Sequence, residues 1–214
     1  MKMIKTIYAI VFFAVAAGAF AQPADVVTVG SASTVGNIVD IPVSIRDVSG
    51  TPLGIDQPPG SRIQSYSIKV NYAPAAAVQS VTFTRAGITT SLTPTFESSP
   101  ASPGSISLLD TFQESTNLIP FTLNAPAPGN QVAHLVFTLS PSATPGVPIV
   151  LTLDPVLTQL TDEGGSPATK ESVAGGNLIL VPGAITVTTF IPAMSEWALI
   201  LLVAAFAVIG LRMR

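Results

Sequence analysis

Through the middle of this chain, apolar and polar residues alternate in short runs that proline or glycine repeatedly interrupts. In GNIVDIPVSIRD, Val39, Ile41, Val43 and Ile45 alternate with Asp40, Pro42, Ser44 and Arg46. A period of two places the two sets on opposite faces of a half-buried strand. The pattern returns in RIQSYSIKVNY, where Tyr66, Ile68, Val70 and Tyr72 share one face, and in VQSVTFT. QVAHLVFTLS repeats it with Leu135, Phe137 and Leu139, and VPIVLTL with Ile149, Leu151 and Leu153. Val26 to Val29, Ser105 to Leu109 and Asn177 to Val187 are further candidate strands. Eighteen of the 19 prolines fall between Gln22 and Phe190, which leaves little room for long helices. SLLDTFQESTNL, residues 107–118, lacks proline and glycine and has room for a helical turn or two. Eight or nine short strands separated by turns predict an all-β chain folded as a single β-sandwich of jelly-roll type.

The two ends differ from this middle. Residues 1–21 open with Lys2 and Lys5, continue as an uncharged apolar stretch and close on Ala19-Phe20-Ala21. A basic start, an apolar centre and a small-residue cleavage site form a secretory signal peptide rather than a first transmembrane helix, so the mature chain is expected to start near Gln22. Residues 22–190 then form the exported domain. It holds five basic residues (Arg46, Arg62, Lys69, Arg85, Lys170) against eleven acidic ones. An acidic surface without a basic cluster excludes nucleic acid as the expected partner, because that binding rests on Lys and Arg neutralising phosphates. The chain has no cysteine. Disulfides and thiolate chemistry are excluded, and stability has to come from an apolar core.

The order of elements resembles that of cohesin domains. VTVGSASTVGNIVDIPVSIRDVSG is similar to the family's opening strand, small-residue turn and second strand. IQSYSIKVNYAPAAAVQSVTFTRAG resembles its next stretch, with Ala73 where the family's Tyr-Asp-Pro turn carries aspartate. The segment from Gly129 to Leu180 is similar to its closing section. The likeness covers most of residues 26–181 and is carried by strands and turns, not by a catalytic signature. It implies a cohesin-like sandwich and a binding role; cohesins bind dockerin modules through one sheet face.

No catalytic constellation accompanies the sandwich. His134 is the only histidine and is expected to be a partly exposed strand residue on the face of Val132, Val136 and Thr138. One imidazole without cysteines or paired partners makes no transition-metal site. No G-x-S-x-G elbow, P-loop or dinucleotide fingerprint occurs. Asp154, Asp162 and Glu163 could offer oxygen ligands to calcium, but Asp-Glu-Gly-Gly also has the composition of a solvated turn. Asp110 and Glu114 sit four apart and would form a carboxylate pair only on a helix; a solvated segment is the expectation. Tyr66 and Tyr72 share the face of Ile68 and Val70, so core packing is expected rather than a sugar platform. The sequence predicts no enzyme and no cofactor.

The last 24 residues, 191–214, carry Ile191-Pro192-Ala193-Met194-Ser195-Glu196-Trp197, then an uncharged run to Leu211, then Arg212-Met213-Arg214. As a helix the fifteen residues from Trp197 to Leu211 rise about 22 Å, short of a hydrocarbon core of about 30 Å, and snorkelling arginines with bilayer thinning make up the difference. Arg212 and Arg214 fit a cytoplasmic stop under the positive-inside rule, which a buried core helix would not need. Ile191, Pro192, Ser195, Glu196 and Trp197 match the IPTL-type sorting signal of Gram-negative bacteria, whose motif is Ile-Pro-Thr-Leu-Ser-Glu-Trp-Gly. Ala193, Met194 and Ala198 depart from it. The resemblance implies an exosortase-type membrane transpeptidase as partner and transient residence in the inner membrane. The domain would then pass to the cell surface, outer envelope or extracellular matrix, where its partner is a protein or, alternatively, an exopolysaccharide.

Overall fold

The computed structural model describes residues 23–162 and 171–188. Residues 1–21, the motif 191–197, Arg212, Arg214 and Glu163 lie outside the described residues. Among the described residues no helix is long and apolar enough to cross a membrane.

Among the described residues fourteen strands succeed one another: β1 Asp25–Val29, β2 Ala32–Thr34, β3 Ile38–Arg46, β4 Ser65–Ala73, β5 Val78–Arg85, β6 Phe96–Ser98 and β7 Ala101–Ser102 come first. β8 Ser105–Thr111, β9 Asn130–Leu139, β10 Ile149–Leu153, β11 Gln159–Thr161, β12 Glu171–Val173, β13 Leu178–Val181 and β14 Gly183–Val187 complete them. The sandwich expected from the sequence is therefore present with more strands than the eight or nine counted there. β2, β6, β7, β11 and β12 hold two or three residues each, too few for alternation to register. The helix allowed over 107–118 shrinks to the single turn α1, Glu114–Asn117, because Ser105 to Thr111 alternates and joins the sheet.

Five strands form the smaller sheet in the order β13-β1-β3-β9-β5, and the remaining nine form the larger. In the larger sheet β4 is central: it pairs with β8 along one edge and with β10 and β11 along the other. Alternation decides what lies between the sheets. Ile41, Val43 and Ile45 of β3 and Leu135 and Phe137 of β9 are buried from one side; Tyr66, Ile68 and Val70 of β4 and Ile106 and Leu108 of β8 from the other. Tyr72 meets Phe137 across the core edge-on, with ring centroids 5.7 Å apart. That geometry sets the positive ring edge of one against the negative face of the other.

Pro42 occupies the interior of β3, where a missing N–H would normally break a ladder. Its carbonyl accepts from Gly30 N at 2.8 Å, so its nitrogen faces the same edge, and β1 has already ended at Val29. The ladder to β9, on the other edge, loses no bond. Asn177 to Val187, a single strand by sequence, is divided at Pro182: β13 runs parallel to β1 in the smaller sheet, and β14 pairs with β10 and β2 in the larger. The N-terminal segment makes the same crossing between β1 and β2, at Gly30. The two crossings touch, since a Cβ on Gly183 would lie 1.9 Å from the Gly30 carbonyl oxygen. Only glycine lets the two backbones pass.

Candidate functional site

The alternation that buries Tyr66, Ile68 and Val70 turns Ser65, Ser67, Lys69 and Asn71 outward, and β8 turns Ser105, Ser107, Leu109 and Thr111 to the same side. Register assembles these into rows across the strands. Ser98, Leu109, Ser67 and Gln159 make one row; Ser107 sits beside Lys69; Ser105, Asn71 and Thr152 make another. Ser65 and Thr111 join hydroxyls at 2.8 Å. Large apolar side chains stand around this hydroxyl-rich centre: Phe96 is 54% exposed, Leu157 49% and Val150 44%. Phe96 pairs with Thr111, Val150 pairs with Ala73, and Leu157 lies in the β10–β11 turn, whose carbonyl accepts from Ser67 Oγ at 2.9 Å. Among the described residues the face carries one ion pair, Lys69 Nζ to Asp154 Oδ2 at 3.8 Å, and the exposed carboxylate of Glu171 beside Thr161. A sparsely charged surface with apolar residues at its margin suits contact with another surface rather than chemistry.

Asp154 works as a turn residue. Its Oδ1 accepts the backbone N–H of Val156 at 3.0 Å and of Leu157 at 3.1 Å, and these bonds hold its carboxyl below the usual range. Asp162 is buried directly after β11. Among the described residues no group of three His, Cys, Asp or Glu comes together as a metal site.

His134 lies half-exposed on the outer face of the smaller sheet, as its strand parity predicts. Its Nδ1 meets Asp40 on the neighbouring strand, and its Nε2 meets Gln131 at 2.8 Å. The imidazole is thus tied at both nitrogens, and the amide of Gln131 occupies the position a nucleophile would need.

Asp110 and Glu114 do not form a pair, and Asp110 is not solvated. The former sits on β8 in the inward set with Ile106 and Leu108; the latter, in α1, bridges Arg62 at 3.2 Å and accepts Gly60 N at 2.7 Å. Tyr66 OH donates to Asp110 Oδ2 at 2.6 Å, while buried Oδ1 has no hydrogen-bond partner. Burial pushes this carboxyl from the ordinary 3.8 up to about 6; Glu97 adds to the rise, and the Tyr66 bond and Arg85 oppose it. The inward parity of residue 110 was available in the sequence, but the prospect of a helix over 107–118 obscured it.

The raised value has a measurable consequence. The native state holds this proton more tightly than the unfolded chain, so the contribution of Asp110 to stability falls as pH rises from about 4 to 6 and levels off above that. Asp110→Asn keeps an acceptor for Tyr66 and removes the ionisation. Urea unfolding at pH 4 and pH 7 should show the variant losing less stability over that interval by about 2–3 kcal/mol. Asp25, also raised to about 6 by burial, supplies a slope of the same sign that remains. Equal pH slopes in the two proteins would show that Asp110 does not titrate here.

Two shallow hollows flank the sandwich, of about 340 and 320 Å³. Thr95, Phe112 and Gln113 line one; Tyr72, Val78 and Ser102 line the other, and neither gathers a carboxylate, a histidine or a basic group. No arrangement of general acid and base arises in either.

Residues 191–214 match the family model of the IPTL-CTERM motif. No curated protein matches the chain. Solved structures share the fold. The third cohesin of ScaC from Acetivibrio cellulolyticus, in complex with the ScaB dockerin, is 20% identical, with 77% of this chain and 99% of that chain covered and a TM-score of 0.55. CaCohA2 from Clostridium acetobutylicum is 22% identical over 80% of this chain and 95% of that chain, with a TM-score of 0.53. The OlpA cohesin in its complex with Doc918 from Clostridium thermocellum is 13% identical over 77% and 99%, also at 0.53. The described residues fold as a cohesin-like β-sandwich, and the chain carries an IPTL-CTERM motif at residues 191–214.

Proposed function

We propose that this chain is an exported, non-catalytic binding protein that presents the outer face of its larger sheet to a protein partner. The observation that carries this reading is that face: hydroxyl and amide side chains in its centre, one ion pair, and Phe96, Val150 and Leu157 at its margin. Small polar side chains cost little to desolvate and order when they find hydrogen-bond partners, and the marginal apolar groups supply buried area. The cohesins that share the fold are solved with dockerins, which favours a protein partner over a sugar. A sugar-binding face would want a row of exposed aromatic rings, and Tyr66 and Tyr72 face the core.

Residues 1–21 act as a signal peptide that sends residues 22–190 across the inner membrane. The tail delivers the domain: the IPTL-CTERM motif supports recognition by an exosortase-type transpeptidase, with Ile191–Trp197 as the recognised segment and Arg212 and Arg214 as the cytoplasmic stop. The place of work is then the cell surface or extracellular matrix.

A face variant tests the binding reading. Ser107→Arg with Asn71→Arg puts two long cations in the centre of the face without touching the core. Immobilised residues 22–190 should capture a defined partner from the proteins at the source cell's surface, and the double variant should capture it at least tenfold less, with an unchanged melting midpoint. Val136→Arg on the smaller sheet should leave capture intact. Loss with Val136→Arg alone moves the contact to the other sheet; equal capture by all three proteins removes the sheet face from the reading.

A further inference from the structure

The loop from β3 to β4 gathers acidic side chains in a part of the fold remote from any histidine. Asp47, the first residue after β3, is buried: its Oδ2 accepts Ile55 N at 2.7 Å, whereas its Oδ1 is buried without a hydrogen-bond partner. A buried carboxylate oxygen left unpaired is costly, because nothing replaces the water it gave up. Asp56 points to the same place. A Cβ built on Gly54 would lie 2.6 Å from Asp47 Oδ1 and 2.7 Å from Asp56 Oδ1, so the two carboxylate oxygens close on one point beside that glycine. No lysine or arginine forms an ion pair with either aspartate among the described residues. The convergence brings like charges together with no cation side chain to offset them.

The surrounding loop is built to hold this arrangement. Asp56 Oδ2 accepts Gly50 N at 3.3 Å, and the Asp47 carbonyl accepts Asn124 N at 2.8 Å. Asp25, buried behind the loop, takes Val48 N at 3.0 Å and the hydroxyls of Ser172 at 3.0 Å and Thr51 at 3.3 Å. Its oxygens are spoken for, so it positions the loop and adds negative charge without offering a ligand.

We propose that Asp47 Oδ1 and Asp56 Oδ1 bind a calcium ion at the β3–β4 loop, beside Gly54. Calcium takes oxygen ligands at 2.3–2.6 Å and completes a shell of six to eight with carbonyls and water, so two converging carboxylates suffice as its charged ligands. Mg²⁺ fits less well, since it demands a tighter octahedron, and zinc or copper would want the nitrogen or sulfur donors this loop lacks. The site is distinct from the Asp154–Asp162–Glu163 segment, where the sequence suggested calcium.

The test uses the detergent-solubilised full chain, stripped with EGTA and titrated with CaCl₂ by calorimetry and thermal unfolding. Calcium should bind with one-to-one stoichiometry and raise the melting midpoint by several degrees, as a ligand bound only by the native state does. Asp56 is exposed, so Asp56→Asn should fold normally and weaken calcium binding by tenfold or more; Asp47→Asn should do the same if it folds. Asp154→Asn should bind as the unaltered chain does. Absence of a calcium-dependent shift in the unaltered chain overturns the site, as does full affinity in Asp56→Asn. A shift lost in Asp154→Asn and kept in Asp56→Asn places the ion in the other loop and overturns it equally.

Discussion

A chain that stops at Phe190 should no longer be held at the membrane at any stage and should appear free in the medium. The unaltered chain should pass through the inner membrane fraction and finish at the surface with a new C-terminus near Pro192. The expected effect is all-or-none because the tail combines two physical requirements. The uncharged run from Trp197 to Leu211 supplies the apolar length, and Arg212 and Arg214 resist transfer across the bilayer, at about 2.5–3.5 kcal/mol for each charge at the membrane centre. On the function proposed above, losing either should leave nothing to pause export while a transpeptidase acts. Cell fractionation with mass spectrometry of the mature protein decides the matter. An intact Arg214 on surface-bound protein leaves a plain membrane anchor and removes the sorting step; retention of the truncated chain in the inner membrane removes the tail's role altogether.

The second large effect lies in the fold. Gly183→Ala should destabilise the sandwich by about 3 kcal/mol or more, at the upper end of what an added methyl does in a packed interior. The new Cβ would meet the Gly30 carbonyl oxygen at 1.9 Å and the Val29 carbonyl oxygen at 2.6 Å. Neither backbone is free to retreat. Gly30 N is bonded to the Pro42 carbonyl at 2.8 Å, Val29 is paired with Val43, and Ala184 N is held by Ser31 Oγ at 2.9 Å. Gly36→Ala is the matched control, since its Cβ would find only Thr34 Oγ1 at 3.7 Å, an ordinary contact. Denaturant unfolding should separate the two variants clearly. Equal midpoints would mean that the two sheet crossings do not touch as described.

Both effects bear on how far the residues alone could be followed. Long strands were legible because alternation over seven to ten residues has one reading: Val39 to Ile45, Tyr66 to Tyr72 and Leu135 to Leu139 all face the core where their parity puts them. Where a strand is two or three residues long, pairing with a neighbour makes it a strand, and no local signal remains; Phe96–Ser98 and Gln159–Thr161 are of this kind. At Asp110 charge suggests solvent against the residue's inward parity, because the partner that makes its burial tolerable, Tyr66, lies 44 positions away. Phe96 could not be placed in the row of Thr111 and Ser65 from sequence, nor Leu157 beside Ser67, since register across β6, β8 and β4 sets the first and a hydrogen bond to the β10–β11 turn the second.

By itself, then, the sequence determined the class of fold and the inward and outward sets of each long strand. These depend on periodicity, on proline's missing N–H and on the transfer of apolar runs out of water, all of which act over a few consecutive residues. Tertiary structure alone decided that Asn177 to Val187 divides between two sheets at Pro182, that Gly183 must be bare to let the crossings pass, and that Asp47 and Asp56 converge on one point. Each of those depends on atoms brought together from distant positions, where the competition between desolvation, sterics and charge is settled by what the fold places within a few ångströms.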